Sequence, residues 1–125
     1  MPKKKILVID DEVDFVKLVR LRLESNGYEV AIASDGEEGL AKVSQEKPDM
    51  ILLDIMMPKK DGYTMLHELK SKEETGSIPI IIITARAYMK DLFGIEGVAD
   101  YIVKPFDDAD LLLRIKRVLA AKDVS

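Results

Sequence analysis

Six residues, Asp49-Met50-Ile51-Leu52-Leu53-Asp54, limit what this chain can fold into more than any other stretch. The apolar run between the two acids is too short for an ordinary helix, and Pro58 and Gly62 lie just beyond it. Such a run reads as a strand covered on both faces. A second run, Ile80-Ile81-Ile82-Ile83, is β-branched throughout and carries the same signature. Strands buried on both sides need helices above and below them, which points to an α/β sandwich around a parallel sheet.

The rest of the chain supplies those helices. Residues 6–9 form a short apolar strand that meets Asp10-Asp11-Glu12. A helix follows with Val16, Val19 and Leu23 on one face, stopped by Asn26-Gly27. Residues 28–33 read as a strand. Ser34 and Glu37 fit a capping box for a helix carrying Leu40 and Val43, which Pro48 closes. After the 49–54 strand and a loop at 56–62, Leu66 and Leu69 mark the inner face of a third helix. Strand four ends at Thr84, residues 87–96 form a weak helix, and residues 100–103 form a fifth strand ending at Lys104-Pro105. Asp107 or Asp108 caps a last helix with Leu112, Ile115 and Leu119 inward. Five βα repeats imply right-handed crossovers and one domain. Residues 1–121 are assigned to it, and 122–125 to a tail or linker stub.

Composition removes several function classes. A net charge of −4 and a pI near 5.1 argue against a phosphate-backbone binder, so no direct nucleic-acid partner is expected. There is no cysteine for a thiol nucleophile or zinc site, and the single histidine, His67, reads as an exposed helix residue. Nothing resembles a signal peptide or reaches membrane-spanning length, so the expected location is the cytoplasm, with no membrane partner.

What remains is the rim where strands end. Strand one delivers Asp10, Asp11 and Glu12, strand three Asp54, strand four Thr84 and strand five Lys104. In open α/β sheets chemistry sits outside the carboxyl ends of the strands. Two carboxylates about 5 Å apart repel by roughly 3 kcal/mol at an effective dielectric near 20. A divalent cation relieves that cost, and oxygen-only ligands favour Mg²⁺ over zinc. With an ammonium and a hydroxyl beside it, Asp54 is suited to attack phosphorus.

These residues resemble the receiver domains of two-component response regulators. The matching pieces are Asp10-Asp11, Leu53-Asp54, Met57-Pro58, Asp61-Gly62, Thr84-Ala85, Tyr101 and Lys104-Pro105-Phe106, in order along almost the whole chain. The resemblance implies a flavodoxin-like (βα)5 fold with strand order 2-1-3-4-5. It implies that Asp54 accepts a phosphoryl group from a sensor histidine kinase or phosphotransfer protein. Asp10, Asp11, Asp54 and the backbone carbonyl of Met56 would hold Mg²⁺. Lys104 would pair with the phosphoryl oxygens, across a cis Lys104–Pro105 peptide. Thr84 and Tyr101 would act as switch residues, reshaping the face made by the 87–96 helix, the fifth strand and the last helix. The chain would be no enzyme beyond its own phosphoryl transfer and loss, and would be a monomer or weak phosphorylation-dependent dimer. The stretch between Thr84 and Lys104 is about two residues shorter than is usual in that family.

Two other readings use related chemistry. A haloacid-dehalogenase-type phosphohydrolase would place its nucleophile after strand one in an Asp-x-Asp pattern, where this chain has Asp10-Asp11-Glu12. A flavin binder would need a hydroxyl- and glycine-rich loop there, and the acids present would repel phosphate.

Overall fold

The computed structural model describes residues 3–55, 62–85 and 98–124. Five strands, β1 (Lys5–Ile9), β2 (Glu29–Ala33), β3 (Met50–Asp54), β4 (Ile80–Thr84) and β5 (Asp100–Val103), form one parallel sheet ordered β2-β1-β3-β4-β5. The helices are α1 (Val13–Ser25), α2 (Gly36–Glu46), α3 (Gly62–Ser71), a single turn α4 (Glu73–Gly76) and α5 (Asp108–Val124). This is the flavodoxin-like α/β sandwich expected from the sequence. Among the described residues, no helix is long and apolar enough to cross a membrane.

β3 and β4 are buried along their entire lengths. Alternate residues serve two separate cores because strand side chains have a period of two. Leu7, Ile9, Ile51, Leu53, Ile80 and Ile82 pack with residues of α2 and α3. Ile6, Val8, Met50, Leu52, Ile81 and Ile83 pack with residues of α1 and α5. Asp49, the acid that opens the central run, has a structural task. Its carboxylate accepts from the Lys5 amide at 2.8 Å, and its own amide donates to the Lys5 carbonyl at 2.8 Å. That exchange clasps the first ends of β1 and β3 together.

Helix boundaries follow local chemistry, with three departures from the sequence reading. α2 is capped by Asp35, not by a Ser34/Glu37 box: Asp35 Oδ1 accepts from the Glu38 amide at 2.9 Å, and the Ser34 hydroxyl donates to the Glu38 carboxylate at 3.2 Å. Two adjacent cap-forming residues compete here, and the one set directly before the first helical residue wins. In α5 the fully packed leucine is Leu111, only 1% exposed, while Leu112 is partly buried. Leu111, Ile115 and Leu119 keep an i, i+4 stripe that Leu112 falls beside. The third departure is the single turn α4, a stretch to which the sequence reading assigns no helix. Of the two alternatives left open for the α5 cap, Asp107 serves: its Oδ1 accepts from the Ala109 amide at 3.1 Å. Gly27 ends α1 with φ +89°, a conformation costly for other residues. The helix expected at 87–96 and the loop at 56–61 lie outside the described residues.

The two leucines give a direct check of the α5 packing. Leu111→Ala should lower the unfolding free energy by about 3 kcal/mol and Leu112→Ala by about 1 kcal/mol, as read from urea denaturation.

Candidate functional site

The strand registers gather the site. Ile9 pairs with Leu53 and Thr84 with Val103, so Asp10 comes beside Asp54 and Lys104 follows the partner of Thr84. The Lys104 amide donates to the Thr84 carbonyl at 2.7 Å, continuing the ladder one residue past the strand. Asp10, Asp54 and Thr84 are all nearly inaccessible to solvent. The Glu12 amide donates to Asp10 Oδ1 at 2.9 Å, which turns the chain back over the rim before α1 starts.

Lys104 is the hub. Its Nζ donates to Glu12 Oε1 at 2.7 Å and to Asp10 Oδ2 at 2.9 Å, and it stands 3.7 Å from Asp54 Oδ2. The first two are the short distances of charge-assisted hydrogen bonds. The ammonium also sits 4.0 Å from the centroid of the Phe15 ring, close enough for a cation–π contact. Phe15 is held edge-on by Phe106, with ring centroids 5.8 Å apart. The Lys104–Pro105 peptide, just ahead of Phe106 in the chain, is cis. Burial pulls the Lys104 pKa down, but hydrogen bonds to Glu12 and Asp10 and the charges of Asp10 and Asp54 outweigh it and raise the pKa above its ordinary 10.5. The lysine is therefore a cation at any physiological pH.

Carboxylate oxygens of Asp10, Glu12 and Asp54 lie within 4.8 Å of one another. Three acids around the Lys104 ammonium leave a residual negative charge, and all the donors are hard oxygens, so the residues fit a hard divalent cation. Asp11 is exposed and is not one of these three. Met56 lies outside the described residues. Thr84 closes β4 beside this group, and Tyr101 is half-buried in β5 against the core on the α2–α3 side. The backbone carbonyl of Tyr101 accepts from Arg114, which also pairs with Asp100 and Asp110 within the chain.

Glu12 is legible in the sequence only as one member of an acidic run. Its place directly before the first residue of α1, reached through the Asp10 turn, is what brings it to the lysine, and neither is visible in the sequence. Gly62 is the other residue with an unstated role. A Cβ there would lie 2.6 Å from Ile55 Cα and 3.0 Å from the Asp54 carbonyl oxygen. The start of α3 thus presses directly on the backbone that carries Asp54, and the Gly62 amide donates to the Ile55 carbonyl at 3.3 Å.

The chain matches the family model described as "Response regulator receiver domain" over residues 6–116. It is 45% identical to a probable transcriptional regulator, ycf27, of Porphyridium aerugineum, across 98% of this chain and 51% of that protein. It is 40% identical to RpaA of Synechocystis, described as a DNA-binding dual master transcriptional regulator, across 95% of this chain and 50% of that protein. A solved CheY-like receiver domain protein from Methanospirillum hungatei superposes with a TM-score of 0.90 at 32% identity, covering 98% of both chains. The chain spans about half the length of the curated relatives it matches.

These relatives correct the partner expectation. The acidic balance predicts no direct nucleic-acid partner, yet relatives aligned over nearly the whole chain are transcriptional regulators, one of them described as DNA-binding. The net charge of −4 describes 125 residues, and it cannot speak for proteins of twice that length.

Two outcomes follow from the geometry. Gly→Ala ordinarily favours a helix, but Gly62→Ala should destabilise by about 1–3 kcal/mol because its methyl group meets backbone, as read from urea denaturation. Lys104→Met should cost roughly 2–4 kcal/mol at pH 7 in EDTA by stranding the buried acids. Because the lysine's pKa is raised on folding, its contribution is complete below pH 10.5 and is lost as pH climbs through the higher folded value. The gap between native and variant should therefore narrow only at strongly alkaline pH.

Proposed function

The chain belongs to the response regulator receiver family, a signalling domain rather than an enzyme, and on that premise we propose that Asp54 accepts a phosphoryl group from a sensor histidine kinase. The observation that carries this reading is the buried Asp54 carboxylate at the sheet rim with the Lys104 ammonium 3.7 Å away. An Asp54 oxygen attacks the phosphorus of a phosphohistidine. A P–O bond forms as the P–N bond breaks, the electron pair stays on the ring nitrogen, and the imidazole departs neutral because its other ring nitrogen already carries a proton. Lys104 balances charge on the incoming phosphoryl oxygens.

Asp10, Asp11 and Asp54, with the Met56 backbone carbonyl, are the residues we assign to holding Mg²⁺. When bound, the ion would offset the negative charge shared by these acids and the phosphoryl oxygens. Thr84 ends β4 next to the lysine, where its hydroxyl can turn toward a phosphoryl oxygen. Tyr101, half-buried behind it, would follow and reshape the face formed by residues 87–96, β5 and α5. Residues 1–121 are proposed as the functional unit, with 122–125 as its tail, in a cytoplasmic protein that controls transcription as the curated relatives are described to do.

The test is intact mass after incubation with Mg²⁺ and acetyl phosphate or a phosphoramidate. The native chain should gain one phosphoryl group and Asp54→Asn none; an adduct that persists in the variant would move the acceptor elsewhere. Mg²⁺ alone should raise Tm by mass action, and EDTA should reverse the rise.

A further inference from the structure

The resting position of Lys104 is off-centre. Its two short hydrogen bonds go to Glu12 and Asp10, both from the β1–α1 turn, while the acid it would serve on phosphorylation is the farthest of the three. The Phe15 ring beneath the ammonium comes from the same side. The two holding acids differ sharply in setting: the Asp10 side chain is 1% exposed and that of Glu12 is 60% exposed. Releasing Asp10 would strand a buried charge, whereas Glu12 can return to water at little cost.

We propose that Glu12 is a releasable latch on Lys104, a positioning residue that competes with a phosphoryl group on Asp54 for the same ammonium. The inference rests on the phosphoacceptor reading of Asp54 and adds to it a residue that sets how readily the lysine is surrendered. With a dianionic group on Asp54, the lysine swings from Glu12 toward the new oxygens, and the Glu12 carboxylate becomes solvated. Phe15 keeps the ammonium within reach during the exchange, because the cation–π contact does not depend on which oxygen is bonded. Every increment of Glu12–Lys104 attraction is then subtracted from the stability of the phosphorylated state. For a pair this exposed, the effect should be on the order of two- to fivefold.

The proposal also separates Glu12 from metal binding, although its oxygens lie near those of Asp10 and Asp54. A metal ligand and a lysine latch make opposite predictions when the carboxylate is neutralised. Losing a ligand raises the Mg²⁺ requirement and weakens binding of the phosphoryl group. Losing a latch strengthens phosphoryl binding and leaves the Mg²⁺ requirement where it was.

The experiment uses fluoroberyllate, a stable phosphoryl mimic, titrated into the chain at saturating Mg²⁺ with binding followed by ¹⁹F NMR. Acyl phosphate half-life is measured in parallel. Glu12→Gln should bind the mimic two- to fivefold more tightly, with an unchanged Mg²⁺ half-saturation, and Glu12→Asp should fall between it and the native chain. In a Lys104→Met background the Glu12→Gln effect should vanish, since a double-mutant cycle isolates the pair. Unchanged or weaker binding in Glu12→Gln, or the same gain with Lys104 absent, overturns the latch. A native chain that takes no fluoroberyllate at all would overturn the phosphoacceptor reading itself, and the latch with it.

Discussion

A single ammonium holds the rim of this sheet together. Lys104 reaches acids delivered by β1 and β3 from the end of β5, so it connects segments that are 50 and 94 residues away in sequence. Without it, Asp10 and Asp54 would share a nearly dry site and repel. The registers of β1 with β3 and of β4 with β5 run mostly through isoleucine, leucine and valine, residues whose burial does not involve that charge. The consequence is a division of labour. Apolar burial builds a frame stiff enough to force like charges together, and one lysine makes the arrangement tolerable.

Much of this is legible in the sequence because it depends on short-range pattern. Ile80–Ile83 and Met50–Leu53 could hardly be anything but interior strands, and a parallel sheet then places their ends on one rim. Asp54, Asp10, Thr84 and Lys104 follow from that geometry alone. What escapes the sequence is decided by choices between adjacent residues. Ser34 and Asp35 are both good caps, and only the backbone's path selects Asp35. Leu111 and Leu112 differ by 100° around a helix whose phase is set by its packing partners, Ile81, Ile83 and Ile102 among them. Asp11 and Glu12 are likewise neighbours, and which of them meets the lysine depends on a turn that folds through the Asp10 side chain.

The partner expectation fails for another reason. Charge balance is a sound argument about the surface that carries it, and it does not extend beyond the 125 residues it describes. Regulators with receivers like this one are about twice as long. An acidic balance in this chain and the DNA-binding description of RpaA do not conflict, because the field of one surface is screened within about 8 Å at physiological ionic strength.

The two-core architecture has a consequence for how a signal could travel. Asp10, Asp54 and Lys104 continue the alternate series of Val8, Leu52 and Ile102, which line the α1–α5 core, whereas Thr84 continues the series of Ile82, and Tyr101 packs on the opposite core. Asp10, Asp54 and Lys104 thus share one side-chain parity and Thr84 takes the other, although all four stand at the same rim. The shortest connection between the two sets of side chains therefore runs along the margin of the sheet and bypasses both hydrophobic interiors. Each interior is then free to drift in sequence, so long as the pleat keeps its parity.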